Sequence, residues 1–88
     1  MKFFDKREYL EAGELAVVTC SHQCNVRLMD DVNFSRYQRG ESFYSYGGGY
    51  RRFPVHIAAP TSGFWTCVLD LGGYVASIRY SIKFLRRQ

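Results

Sequence analysis

No stretch of the 88 residues approaches the ~20 uninterrupted apolar residues that a membrane-spanning helix requires. The N-terminus offers only Phe3 and Phe4 before Asp5, far short of the apolar core of an export signal. The chain is therefore expected to be soluble, to have no membrane partner and to stay in the cytoplasm, where the sequon Asn33-Phe34-Ser35 has no meaning. Low complexity is confined to Gly47, Gly48 and Gly49, and neither repeat nor linker is visible, so residues 1–88 are read as one β-sandwich domain.

Groups that carry chemistry are equally scarce. Three cysteines, Cys20, Cys24 and Cys67, cannot all pair within the chain, and free thiols are the expectation in a reducing compartment. Cys20 and Cys24 bracket Ser21-His22-Gln23, which raises a Cys/His/Cys metal site. Zinc would need a fourth ligand, with only His56 and Cys67 as soft donors, so a hairpin turn with a thiol at each strand end is preferred and no metal is assigned. His22 and His56 are the only imidazoles. His56 sits within an alternating strand pattern, Asp30 and Asp31 are better used in helix capping than as paired carboxylates, and Ser62 lacks a nucleophile-elbow context. No enzyme activity and no cofactor are expected.

What is present is strand patterning. Ile78, Tyr80, Ile82 and Phe84 alternate with Ser77, Arg79, Ser81 and Lys83, the period of two that a half-buried strand imposes. Val55, Ile57 and Ala59 oppose His56 and Ala58, and Cys24, Val26 and Leu28 oppose Asn25, Arg27 and Met29. Trp65, Cys67 and Leu69 likewise oppose Phe64, Thr66 and Val68. Phe3 to Tyr9 and Glu14 to Cys20 complete the strands at the N-terminal side, with Glu11-Ala12-Gly13 as the turn between them. Asp30 can cap a short helix carrying Phe34 and Tyr37 on one face, closed by Gly40. Extended structure is expected to resume at Glu41 to Tyr46 and to break at the glycine triplet. Pro60-Thr61-Ser62-Gly63 and Leu71-Gly72-Gly73-Tyr74 read as turns. Six or seven short strands with one short helix define an all-β, compact antiparallel β-sandwich or partly open barrel.

Several blocks together are similar to the DUF1883 family: Asn25-Val26-Arg27-Leu28-Met29-Asp30, Asn33-Phe34 with Tyr37 and Gly40, Tyr46-Gly47-Gly48, Pro60-Thr61-Ser62-Gly63 with Trp65, and Asp70-Leu71-Gly72-Gly73-Tyr74. They run in the family's order from about Phe3 to Leu85. The resemblance implies a small β-rich bacterial domain of unknown function, found alone or ahead of a Toll/interleukin-receptor (TIR) domain, and hence a sensing or scaffolding module. By that analogy a TIR-type effector is a candidate protein partner. This chain ends at Gln88 with no TIR portion, and its three cysteines depart from the pattern expected of the family's strands.

The net charge is +4, with nine of twelve cations being arginine, which favours anionic partners. One segment concentrates recognition chemistry: Phe43-Tyr44-Ser45-Tyr46-Gly47-Gly48-Gly49-Tyr50-Arg51-Arg52-Phe53. Arginine supplies a planar fork for phosphate or carboxylate, and tyrosine a stacking face and a hydroxyl. The expected ligand-binding residues are Arg36, Arg39, Tyr44, Tyr46, Gly47, Gly48, Tyr50, Arg51 and Arg52, converging across a flexible glycine loop on a small anionic ligand or a protein. The competing reading makes Phe43 and Phe53 core and Arg51-Arg52 a solvated corner. Single-stranded nucleic-acid binding is the alternative function, disfavoured by the mild charge and the absence of a known signature, and edge-to-edge oligomer formation is the third.

Overall fold

A computed structural model describes residues 3–71 and 77–87. The alternating segments form seven strands and one helix: β1 (Phe3–Leu10), β2 (Leu15–Cys20), β3 (Cys24–Asp30), α1 (Asp31–Gln38), β4 (Tyr46–Tyr50), β5 (Val55–Ala58), β6 (Gly63–Asp70) and β7 (Tyr80–Leu85). They make two antiparallel sheets, a four-stranded one in the order β1-β6-β3-β4 and a three-stranded one in the order β5-β2-β7. The fold is thus the expected sandwich, with no closed barrel. The turn at Leu71-Gly72-Gly73-Tyr74 falls largely outside the described residues.

The inner faces supply the main core: Leu10, Ala16, Val18, Val26, Leu28, Val55, Ile57, Trp65, Cys67, Leu69 and Ile82 are all buried against one another. Each fully buried aliphatic or aromatic side chain among them stabilises the fold by about 1.5–3 kcal/mol. Alternation fails on β6, where every residue from Trp65 to Asp70 is buried. The cause is α1, which covers the outer face of the larger sheet. Tyr37 packs there on Met29 and Val68, with Phe3, Phe34 and Phe43 around it. Asp30 caps the helix by accepting from the Asn33 amide at 2.9 Å. The Tyr37 hydroxyl donates to Asp70 Oδ2 at 2.5 Å, joining the last turn of the helix to the end of β6.

The two sheets are laced together along the β1/β7 side. Phe4 and Tyr80 stack at 4.2 Å between ring centroids, Lys6 Nζ donates to the Ile82 carbonyl at 3.4 Å, and Arg86 pairs with Glu8 and donates to the Tyr9 carbonyl at 2.8 Å. Glu14, buried at the start of β2, accepts from the Glu11 amide at 2.7 Å and the Arg87 amide at 2.6 Å. These bonds hold its carboxyl below the ordinary value of 4.5, with the charges of Arg86 and Arg87 acting in the same direction.

Three expectations need correction. Residues 41–45 are not strand; the strand starts at Tyr46 and runs through the glycine triplet, paired residue by residue with β3 from Leu28↔Tyr46 to Cys24↔Tyr50. A glycine-rich segment forms a strand here because the partner ladder, rather than side-chain propensity, satisfies its backbone. The turn at Ser21 to Gln23 is no hairpin, since β2 and β3 belong to different sheets and the turn carries the chain across the sandwich. The last strand begins at Tyr80, three residues after Ser77, and Ser21 closes the preceding segment by exchanging hydrogen bonds with the Arg79 backbone at 2.9 and 3.0 Å.

Candidate functional site

β4 is an edge strand of five residues with a tyrosine at each end and no side chain between them. The three other edge strands are guarded. β1 carries Asp5, Lys6, Arg7 and Glu8, β7 carries Lys83, and the four-residue β5 lies between Pro54 and Pro60. Charges and prolines of this kind discourage a foreign strand from pairing. β4 has neither, and among the described residues nothing hydrogen-bonds its outer row of amides and carbonyls. Gly47 and Gly49 are exposed. Gly47 is obligatory for a separate reason: its φ is +119° and a Cβ there would lie 2.2 Å from the Val26 carbonyl oxygen and 3.0 Å from Ile57 Cδ1. At Gly48 a Cβ would meet nothing within 4 Å.

Of the expected ligand-binding residues, Tyr44, Tyr46, Gly47, Gly48, Tyr50, Arg51 and Arg52 follow one another along this strand and its flanks, while Arg36 and Arg39 stand at the end of α1. Tyr44, 81% exposed, and Tyr46, 50% exposed, stand at its start; the Tyr44 amide donates to Asn33 Oδ1 and the Tyr46 ring meets Trp65 edge-on at 5.9 Å. Tyr50 is half-buried against the core at the other end, and Arg51 and Arg52 follow it. Four residue steps of strand separate Tyr46 from Tyr50, about 13 Å. Convergence on a small ligand through a flexible loop is therefore replaced by a strip. Phe43 and Phe53 pack against the two core clusters, as the competing reading held.

Charge gathers at the Tyr50 end. Arg51 and Arg52 are exposed and form no ion pair with any described residue. Arg36 lies in the last turn of α1, and its charge helps hold the Glu41 carboxyl below its ordinary value. Arg39 is not free, because its guanidinium is held by Glu41 at 2.9 Å and by Ser35 Oγ at 2.7 Å. Arg79, which is not among the expected ligand-binding residues, has its backbone bonded to Ser21, three residues before the start of β3. A cleft of about 430 Å³ opens there, lined by His22, Gln23, Cys24, Asn25 and Leu71. The sequence singles out His22 and Cys24 as candidate metal ligands and Asn25 as a strand residue; the cleft they share with Leu71 emerges once β3 and β6 are placed side by side.

Reactive groups are spoken for. Burial pushes the Cys24 thiol up to about 12, aided by a contact from Cys20, and does the same to Cys67. Such thiols are protonated at neutral pH and are poor nucleophiles and poor ligands. Ser21 Oγ and His22 Nδ1 share a hydrogen bond of 2.8 Å, but both are exposed neighbours in one turn, and no carboxyl among the described residues bonds the imidazole to orient it. A second depression, about 330 Å³ between the start of α1 and the Thr61–Trp65 segment, contains Asp30 and Asp31. Asp30 is the helix cap, and Asp31 is bound by both Nε and Nη2 of Arg7 at 2.9 and 2.7 Å, which lowers its pKa. Among the described residues no three of His, Cys, Asp and Glu are grouped to hold a metal ion, and no helix is long and apolar enough to cross a membrane.

The sequence matches a family model along residues 1–88, described as a domain of unknown function, DUF1883. No curated protein and no solved structure matches the chain. The chain belongs to the DUF1883 family.

Proposed function

We propose that this member of the family is a non-enzymatic recognition module for an anionic partner, engaged along β4 and at the arginine-bearing end beyond it. The observation that carries the reading is the pairing of an unguarded edge strand with two exposed arginines, Arg51 and Arg52, that form no ion pair with any described residue. Elsewhere on the surface Arg7, Arg39 and Arg86 are each matched to a carboxylate. An arginine left unmatched keeps its bidentate fork for an incoming carboxylate or phosphate. Catalysis has no comparable support, since the Cys24 and Cys67 thiols are buried and the two aspartates of the smaller depression are committed to structure.

The test is fluorescence anisotropy with three labelled or competing probes: polyglutamate, oligo(dT) and inorganic phosphate. Each is measured against the protein and its Arg51→Ala/Arg52→Ala variant. The variant is expected to keep its stability within about 0.5 kcal/mol, as exposed substitutions do, and to lose roughly tenfold or more in affinity for the anion bound. Equal binding by both proteins, or binding of none of the three probes, refutes the reading.

A further inference from the structure

We infer that the partner is an acidic polypeptide segment that docks in extended conformation as a fifth strand on β4. This rests on the anionic-partner reading and specifies its class. An incoming strand must bring its backbone to within about 4.8 Å of the edge, and side chains on the edge strand decide whether that surface is passable. Three consecutive glycines leave the centre of β4 bare, with open space where a Cβ of Gly48 would stand. Exposed Tyr44 and Tyr46 at one end offer ring faces to alternate side chains of the arriving strand.

Charge then selects among peptides. A segment lying along the strip reaches Arg51 and Arg52, so acidic residues near one of its ends find unmatched guanidiniums, whereas a basic segment meets like charge. A small anion would use the arginines and leave the edge empty. A second copy of this chain could pair β4 with β4, but antiparallel pairing centred on Gly48 sets Arg51 opposite Ser45 and Arg52 opposite Tyr44. It brings no carboxylate to either arginine. The acidic peptide satisfies both the backbone edge and the charge.

The experiment is selection from a displayed library of random dodecapeptides on the immobilised protein. It is followed by solution binding of the enriched peptide and of a twin with alternate amides N-methylated. Enrichment of Asp and Glu, slowed amide exchange at Gly47 to Gly49 on binding, and roughly tenfold or greater weakening for both the N-methylated twin and the Arg51→Ala/Arg52→Ala protein support the proposal. It is overturned if the library yields no acidic binder, if the twin binds equally well, or if slowed exchange at β4 instead follows protein concentration through self-association. Phosphate or oligo(dT) binding that depends on the two arginines but leaves the β4 amides untouched would overturn strand addition alone. Loss of every arginine-dependent interaction would remove the anionic-partner reading as well.

Discussion

Alanine at Gly47 and alanine at Gly48 should have opposite consequences although the residues are adjacent in one strand. At Gly47 the φ of +119° puts any Cβ in the conformation that L residues disfavour, costing about 1–2 kcal/mol. The added carbon also lies 2.2 Å from a backbone oxygen that belongs to the β3 ladder, so relief requires the two strands to separate. Overpacking of this kind costs about 1–3 kcal/mol. Reduced freedom of the unfolded chain returns about 0.4–1 kcal/mol. The net expectation for Gly47→Ala is a loss of about 1–4.5 kcal/mol, which for a chain of this size lowers Tm by roughly 5–35 °C. Gly48→Ala meets no atom and no positive φ, so it should range from neutral to about 1 kcal/mol more stable. Trp65 is the sole tryptophan and is buried, which makes its fluorescence in urea and thermal melts a direct readout. A Gly47→Ala protein within about 0.5 kcal/mol of the parent, or equal losses at both positions, would refute the register assigned to β4.

Tyr37→Phe keeps the ring contacts with Phe3 and Phe43 while deleting the donor to Asp70, and should cost about 1–2 kcal/mol in urea denaturation; no loss would show that the bond does not anchor α1. Because the Glu14 carboxyl titrates lower folded than unfolded, its contribution is complete above about pH 4.5 and fades as pH falls through the folded value. Melting temperatures followed from about pH 7 to pH 3 should therefore drop less steeply for Glu14→Gln than for the parent, and parallel curves would contradict the assignment. An aromatic disulfide reagent at neutral pH should modify half-buried Cys20 readily and reach Cys24 and Cys67 only on unfolding, since thiols pushed up to about 12 are almost wholly protonated. Rapid labelling of all three in the folded protein would argue against the burial described.

Strands that bury one face announced themselves. The Val55 to Ala59 and Cys24 to Leu28 patterns are reproduced in the burial of alternate residues, because solvent and core impose the same period on any such segment. The spacing of Phe34 and Tyr37 similarly marked the face of α1 that lies on the sheet. β4 was hidden, since glycine has no side chain to alternate and its strand state comes from β3, a tertiary partner. The crossing of the Ser21 to Gln23 turn from sheet to sheet was hidden too, because local sequence carries no information on which strands become neighbours. Of the residues expected to bind, Arg39 is spent on Glu41, a pairing that their spacing of two around Gly40 could have signalled. Arg51 and Arg52 form no ion pair with any described residue.

Of the five strand pairings, only that of β3 with β4 joins strands consecutive along the chain. Phe3 waits for Asp70, and Cys20 for Tyr80, before either finds its place. A nascent polypeptide leaving the ribosome can therefore complete the larger sheet only once β6 has emerged, and the smaller one only once β7 has. Topologies so dominated by distant pairing close on the millisecond-to-second scale. During that interval Leu10, Ala16 and Val18, all fully buried in the finished sandwich, stay open to solvent.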